Sequence, residues 1–311
     1  MPPAHELARA STPSLRHAEA VEPGVDDIDV FEAERPRLLG LAYRILGSAV
    51  DAEDVVQEAW MRWQAASDVD RPAAWLTTVV SRLALDAWRA QQRKREDYVG
   101  PWLPEPVAIE ADPAERAEMA DSLTFGFLVL LDELSPVERV VFLLADVFGE
   151  SFADIATIVG KSDVACRQIA SRARKKMQQS KPHRAPHASP TLAIALLSAV
   201  SQGDVAATMA LLDPDVVLTS DGGPHRHAAR RPVIGADRVT RLLVNLTKRG
   251  FDWGADLQFA EVNRTPSLVI SRQGRPYMVI AIEEDENRVQ AIRIVVNPEK
   301  LGHLTTPVRL V

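Results

Sequence analysis

The stretch FADIATIVGKSDVACRQIASRARKKM, Phe152 to Met177, decides how this chain is read. Phe152, Ile155, Ala156 and Val159 fall on one face of a short helix. Gly160-Lys161-Ser162 then reads as a turn, with Gly160 free to take the left-handed conformation that ends a helix. Ser162 or Asp163 can cap the helix that follows. Val164, Ile169 and Ala173 mark its inner side, and Cys166 reads as a small packed residue. Its other faces carry Arg167, Gln168, Ser171, Arg172, Arg174, Lys175 and Lys176. Two helices and a tight turn, the second helix polar and cationic, is the form that enters a DNA major groove. Arg167 and Gln168 stand early enough to reach base edges, and the later basic residues are placed for phosphates. The plainer alternative is a helical hairpin with a basic solvated face.

Charge around this stretch is segregated. Between Lys161 and Arg184 eight basic residues oppose one acid, a net of +7. A second block, Arg82, Arg89, Arg93, Lys94 and Arg95 against Asp86, is net +4, and from Glu105 to Asp121 the chain is net −5. The whole chain carries −7, which taken alone argues against nucleic acid. Two cationic patches on an acidic protein are what phosphate contacts require, while the acidic remainder limits indiscriminate sticking.

Working outward, residues 1–26 lack apolar periodicity and read as a disordered leader. A helical pattern starts near Ile28, with Pro36 predicting a break or kink near Arg35. Gly47-Ser48 ends it. Asp51, Glu53 and Asp54 open a second helix, whose stripe is Val55, Val56, Ala59, Trp60 and Trp63. Pro72 begins a third, with Trp75 and Trp88 on its apolar side and a basic end. Together, 27–97 make one helical module. Four prolines from Tyr98 through Pro113 make 98–113 a linker, although Trp102 and Leu103 are too apolar for an inert spacer. The module containing the helix-turn-helix spans 114–178, and 179–189 is a second linker. From 190 to 311 the pattern changes to two helices, a short strand, another helix, and then strands separated by Pro266, Gln273-Gly274 and Glu284–Asn287. That order predicts an α+β domain with an antiparallel sheet.

At 311 residues the chain has room for two or three domains, and 46% apolar with 25% charged residues is ordinary for a folded protein. The longest charge-free apolar stretch, Thr191 to Gln202, falls short of the ~18 residues of a membrane helix. The first residues lack the order of a secretory signal. A single cysteine allows no internal disulfide. A reducing cytoplasm fits, and no cofactor is expected.

These residues resemble a known family. Leu134 to Met177 resembles region 4 of the extracytoplasmic-function sigma factors, Asp51 to Gln64 their region 2.2, and Arg71 to Arg95 their regions 2.3 and 2.4. Trp102-Leu103-Pro104-Glu105-Pro106, Asp221-Gly222-Gly223 and Asn297-Pro298-Glu299-Lys300-Leu301 resemble signatures of members carrying a fused SnoaL-like domain. The resemblance implies two all-α sigma domains followed by a cone-shaped α+β SnoaL-like domain. Two departures stand out. Pro224-His225 follows the Asp-Gly-Gly segment where the subgroup commonly has Gly and a basic residue, and Arg82 stands where many relatives carry Asn.

The implied function is that of an alternative sigma factor, not an enzyme. It would bind the clamp and flap regions of core RNA polymerase and promoter DNA, without a membrane. Asp54, Gln57, Glu58 and Met61 would face the polymerase. Arg82, Arg89, Arg93 and Lys94 would hold −10 DNA, with Trp75 and Trp88 packed in the core. Arg167, Gln168, Ser171, Arg172, Arg174 and Lys175 would read the −35 element. Trp102, Leu103, Pro104, Asp221, Gly222, Gly223, Asn297 and Pro298 would let the last domain regulate in cis. Two rivals stay open: a one-component repressor with a ligand-sensing last domain, and a tethered enzyme using Asp221, His225 and His227. The same three residues make a weak metal signal.

Overall fold

The computed structural model describes residues 25–109, 121–179, 189–249 and 256–304. The stretches expected as leader and second linker lie almost wholly outside these residues, as does the acidic run at 110–120. Helices α1 (Val25–Leu46), α2 (Ala49–Gln64) and α3 (Pro72–Glu96) open the fold. The break expected near Arg35 does not occur: α1 runs through Pro36. Phe31, Leu38, Leu39, Ala42 and Ile45 are all buried on one face of it, and that packing outweighs the lost backbone bond. Ser48 caps α2, its hydroxyl accepting from the Asp51 amide at 3.2 Å.

Helices α4 (Phe125–Leu131), α5 (Pro136–Phe142), α6 (Phe152–Val159) and α7 (Asp163–Gln179) follow, with a π turn at Leu143–Val147 after α5. One apolar core runs through both helical groups, joining Leu41, Val56, Val80 and Trp88 to Val140, Leu143, Ile155 and Cys166. The described parts of the two basic blocks therefore sit on one packed body. Arg139 ties it together. Its guanidinium donates to the Arg44 carbonyl at 3.0 Å and to Asp132 at 2.8 Å, and it lies 4.3 Å from the centre of the Trp88 ring. Burial pulls the Arg139 pKa down to about 10, while Asp132 opposes the fall and keeps the cation.

The third part begins with α8 (Pro190–Ser201) and α9 (Val205–Leu211), split at Gly203-Asp204 as expected. Strands β1 (Leu212–Asp221) and β2 (Val233–Ile234) precede α10 (Ala236–Lys248), and β3 (Leu257–Val262), β4 (Thr265–Arg272), β5 (Arg275–Asp285) and β6 (Arg288–Val295) complete a sheet of order β2-β1-β6-β5-β4-β3. The α+β class is as expected, but the sheet is mixed. β1 pairs with β6 in parallel, because the chain leaves β1 through α10 and returns along a four-strand meander. The meander hairpins turn on Asn263-Arg264, Gln273-Gly274 and Glu286-Asn287, every one of these residues at positive φ. Pro266 is thus no separator; it lies in β4 opposite Glu261, just before the β4–β5 ladder begins at Ser267, where its missing N–H costs nothing.

Alternation gives the sheet two buried faces. Leu268, Ile280, Ile282, Ile292 and Ile294 face α8 and α10. Val269, Val279, Ala281 and Val295 face the other way, onto Leu103 of the linker and Phe125 of α4. A domain read as separate from sequence is therefore docked through a sheet face. Leu103, 1% exposed, contributes about 1.5–3 kcal/mol to that docking.

Candidate nucleic-acid interface

The turn chemistry of α6 and α7 follows the residues. Gly160 has φ 66° and ψ 40°, and the Lys161 amide donates back to the Ala156 carbonyl at 3.1 Å. The Ser162 hydroxyl accepts from the Ala165 amide at 3.2 Å, so Ser162, not Asp163, caps α7. Cys166, Ile169, Ala170 and Ala173 form the inner face of α7, and burial pushes the Cys166 thiol up. Val164 does not join them. It is 66% exposed, beside Arg167 and Gln168, because the helix starting at Asp163 turns its second residue outward. Arg167, Gln168, Ser171, Arg172, Arg174 and Lys175 are all exposed on α7. Several of the cations already hold partners. Arg167 pairs with Asp163 at 2.6 Å and lies over the Phe152 ring, Arg174 pairs with Asp146 at 2.7 Å, and Lys176 pairs with Glu138 at 2.8 Å. Arg172 and Lys175 form no ion pair among the described residues.

On α2, Asp54, Gln57 and Met61 are exposed and Glu58 half-buried, so the four make one outward stripe at helical spacing. The α3 residues divide. Arg89 is exposed and pairs with Asp86 at 2.9 Å, and Arg93 is exposed. The Lys94 side chain lies outside the described set. Arg82 donates to the Thr157 carbonyl at 2.7 Å and the Ile158 carbonyl at 3.3 Å, capping the C-terminal end of α6. Trp88 is 1% exposed and belongs to the core, and Trp75, half-buried, packs against that core on Trp63 at 5.6 Å.

A seam joins the linker to the third part. Asp221 is fully buried. One carboxylate oxygen accepts from the Tyr98 hydroxyl at 2.5 Å and the Gly223 amide at 3.1 Å; the other accepts from the Leu103 amide at 2.9 Å and Lys300 Nζ at 2.7 Å. Lys300 also donates to the Leu103 carbonyl at 2.6 Å and sits 3.2 Å from the centre of the Trp102 ring, whose environment also holds Arg95 at 4.4 Å. Burial brings the Lys300 pKa down to about 8, with Asp221 pulling it back up. Asn297 donates to Tyr98 at 2.9 Å, while Pro298 is exposed and opens a short 3-10 turn. Pro104 is buried. The Asp-Gly-Gly segment must be glycine for steric reasons: a Cβ on Gly222 would lie 2.4 Å from the Arg226 carbonyl, and one on Gly223 would meet Asn297 at 2.6 Å. Further along, Glu105 accepts from the Ala49 amide at the start of α2 (2.8 Å) and contacts His303 at 2.6 Å. Tyr43 donates to the Glu105 carbonyl, and Asn263 reaches both Tyr43 and the Val107 amide.

Comparison with known proteins places this geometry. Residues 30–94 match Sigma-70 region 2 and residues 126–177 match Sigma-70, region 4. Over 293 residues the chain is 38% identical to the ECF RNA polymerase sigma factor SigJ of Mycobacterium tuberculosis, covering 88% of this chain and 93% of that one. The chain belongs to the ECF RNA polymerase sigma factors. A probable member of this family from the same organism, SigI, is 32% identical over 284 residues, covering 88% and 94%. The crystal structure of M. tuberculosis SigJ superposes with a TM-score of 0.69 at 37% identity, covering 88% of this chain and 97% of that one.

In this sigma factor the interior of the third part is narrow. The slot between α8, α10 and the sheet, lined by Leu196, Val200, Leu243, Ile280 and Ile292 among others, has about 20 Å³ of free space, room for roughly one water. None of its lining residues is polar. Asp221 points instead into the seam, and His225 contacts Glu299 at 3.1 Å, so the residues of the enzyme reading do not converge on that slot. Tyr43, Tyr98, Asn263 and His303 carry no signal of this role in the sequence, and Arg95 stands out there only as one charge of the second basic block. Lys300 and Glu105 lie within the quoted signatures, and that proximity was the available signal.

Proposed function

We propose that this chain acts as an alternative sigma factor: it binds core RNA polymerase and directs promoter-specific initiation, without catalytic chemistry of its own, in the cytoplasm. The observation that carries this reading is the match to both sigma modules in order, on a helix-turn-helix whose second helix exposes a cationic face. A one-component repressor would have no use for the region 2 module. Asp54, Gln57, Glu58 and Met61 dock on the polymerase clamp, and the region 4 module meets the flap. Arg82, Arg89, Arg93 and Lys94 hold the −10 element. Arg167, Gln168, Ser171, Arg172, Arg174 and Lys175 engage the −35 element, with the first two at base edges.

The third part regulates in cis. Trp102, Leu103, Pro104, Asp221, Gly222, Gly223, Asn297 and Pro298 couple it to the linker between the DNA-binding modules. The support for this reading is that Asp221 and Lys300 grip both the amide and the carbonyl of Leu103. Run-off transcription with purified core polymerase tests the whole proposal. Promoter-dependent product is expected from the full chain, altered in yield by Trp102→Ala; an absence of product refutes the sigma assignment, and an unaltered yield refutes the regulation.

A further inference from the structure

The third part carries a basic loop that the sigma function does not use. His225, Arg226, His227, Arg230 and Arg231 crowd into seven residues that begin one residue after the glycine pair. With the linker this loop encloses a cleft of about 200 Å³. Val99 and Gly100 form one wall; His225, Arg226, His227 and Arg230 line the other, and no acidic residue is among the described residues that line it. The walls come close, since a Cβ placed on Gly100 would lie 3.5 Å from the Arg230 Cα. The loop is held in shape by its own bonds: the Arg226 amide donates to the Gly222 carbonyl at 3.1 Å and the Ala229 amide to the Ser220 hydroxyl at 2.9 Å. His225 is engaged by Glu299, and Arg226 lies over the Tyr277 ring at 4.3 Å. His227 and Arg230 form no ion pair among the described residues.

We propose that this cleft binds a small phosphate-bearing ligand between the linker and the third part. Guanidinium and imidazole donors around a polar hollow, two of them (His227 and Arg230) outside any ion pair among the described residues, are the chemistry that recognises phosphate oxygens. The volume is below the ~300–1,000 Å³ of sites for drug-sized molecules, so it suits a phosphate or diphosphate group. A ligand touching both walls binds the docked arrangement better than an opened one and so favours it. This consequence rests on the proposed regulation in cis; the binding itself does not.

The experiment is isothermal titration of the full chain with inorganic phosphate and with diphosphate. Three proteins are compared: the natural chain, the double variant His227→Ala/Arg230→Ala, and Arg172→Ala/Lys175→Ala on α7. Thermal melts confirm that all three fold. The expected result is saturable binding, weakened at least about tenfold in the loop variant and unchanged in the α7 variant. Absence of binding at millimolar ligand overturns the proposal, as does a loss that follows the α7 variant. A loop variant that binds a promoter fragment about tenfold more weakly, in a chain that does not bind diphosphate, assigns the loop to DNA and also overturns it. Because no transcription is measured, a failure here is distinct from a failure of the regulatory reading.

Discussion

Replacing Asp221 with Asn keeps the shape of the seam and removes its negative charge. An amide has one acceptor oxygen where the carboxylate has two. Its least costly orientation keeps that oxygen on the Leu103 amide and Lys300 and turns the NH2 toward the Tyr98 oxygen. The Gly223 amide, now bonded at 3.1 Å, is left unmet, which costs about 1–3 kcal/mol in a buried site. Lys300 also loses its counter-charge, but this loss has a ceiling. With its pKa at about 8, Lys300 can release its proton at pH 7 for roughly 1–2 kcal/mol, and the variant need lose no more than that through the ion pair. The total, about 2–5 kcal/mol, is roughly a 30- to 5,000-fold loss of protection at the Leu103 amide, read by hydrogen–deuterium exchange on a peptide covering the linker. The pH dependence has a definite sign. The closed-state pKa of Lys300 is below the ordinary 10.5, so opening takes up a proton between about 8 and 10.5 and the closed seam is favoured as pH rises in that window. Above about pH 8 the natural chain has itself surrendered the charged pair, so the deficit of the variant shrinks by about tenfold on going from pH 7 to 9.5. A protection loss below threefold, or a deficit that does not change with pH, refutes the assignment of Asp221 and Lys300 as the latch.

Other consequences can be checked directly. On the proposed −35 contacts, Arg172→Ala and Lys175→Ala each reduce the slope of log K against log salt for promoter binding by about 0.9, the change for one phosphate contact removed; an unchanged slope assigns the contacts elsewhere. Val164, turned outward at the start of α7, places an apolar side chain where a thymine methyl can be met. Replacing thymines of the −35 element one at a time with deoxyuridine weakens binding of the natural chain at one position by about 0.8 kcal/mol, roughly fourfold, and Val164→Ser abolishes that sensitivity; equal sensitivity in both proteins removes Val164 from the readout. Gly222→Ala forces a carbon to within 2.4 Å of a backbone carbonyl and lowers stability by about 1–3 kcal/mol, seen as a fall in Tm, whereas Ala at Gly302, which has open space around it, leaves the Tm within a degree or two.

What was legible in the sequence was local. The ends of α6 and α7 depend on a glycine, a serine and an apolar face within a dozen residues, and they fold as those residues dictate. The strands after α10 announce themselves by alternation and by turn residues. Orientation between distant segments has no such short-range signature. Nothing near Leu212–Asp221 announces a parallel partner seventy residues on, and nothing near Pro36 announces that packing will carry α1 past it. Val164 was misplaced because the helix starts at Asp163, so its phase departs from the spacing of the apolar residues alone.

The seam was legible as an interaction but not as a mechanism. Trp102 and Leu103 were conspicuous as apolar residues in a proline-rich joint. The charges that fix them, Asp221 and Lys300, lie 79 positions apart and become partners only when the sheet brings the end of β1 beside the turn after β6. The same limit governs the basic blocks. A count of arginines treats every one as available to phosphate, yet Arg95 is stacked between Trp88 and Trp102, and Arg174 is held by Asp146. Arg82 is the sharpest case. Its guanidinium spends two donors on the last carbonyls of α6, so the side chain assigned to −10 DNA also holds region 2 against the helix-turn-helix. It cannot do both with the same donors. If Arg82 brings those two donors to the −10 element, α3 and α6 must part first, and promoter contact must cover the loss of those bonds and of the apolar core that the two modules share; the three other N–H donors of Arg82, on an exposed side chain, can meet a phosphate with the helices still in place.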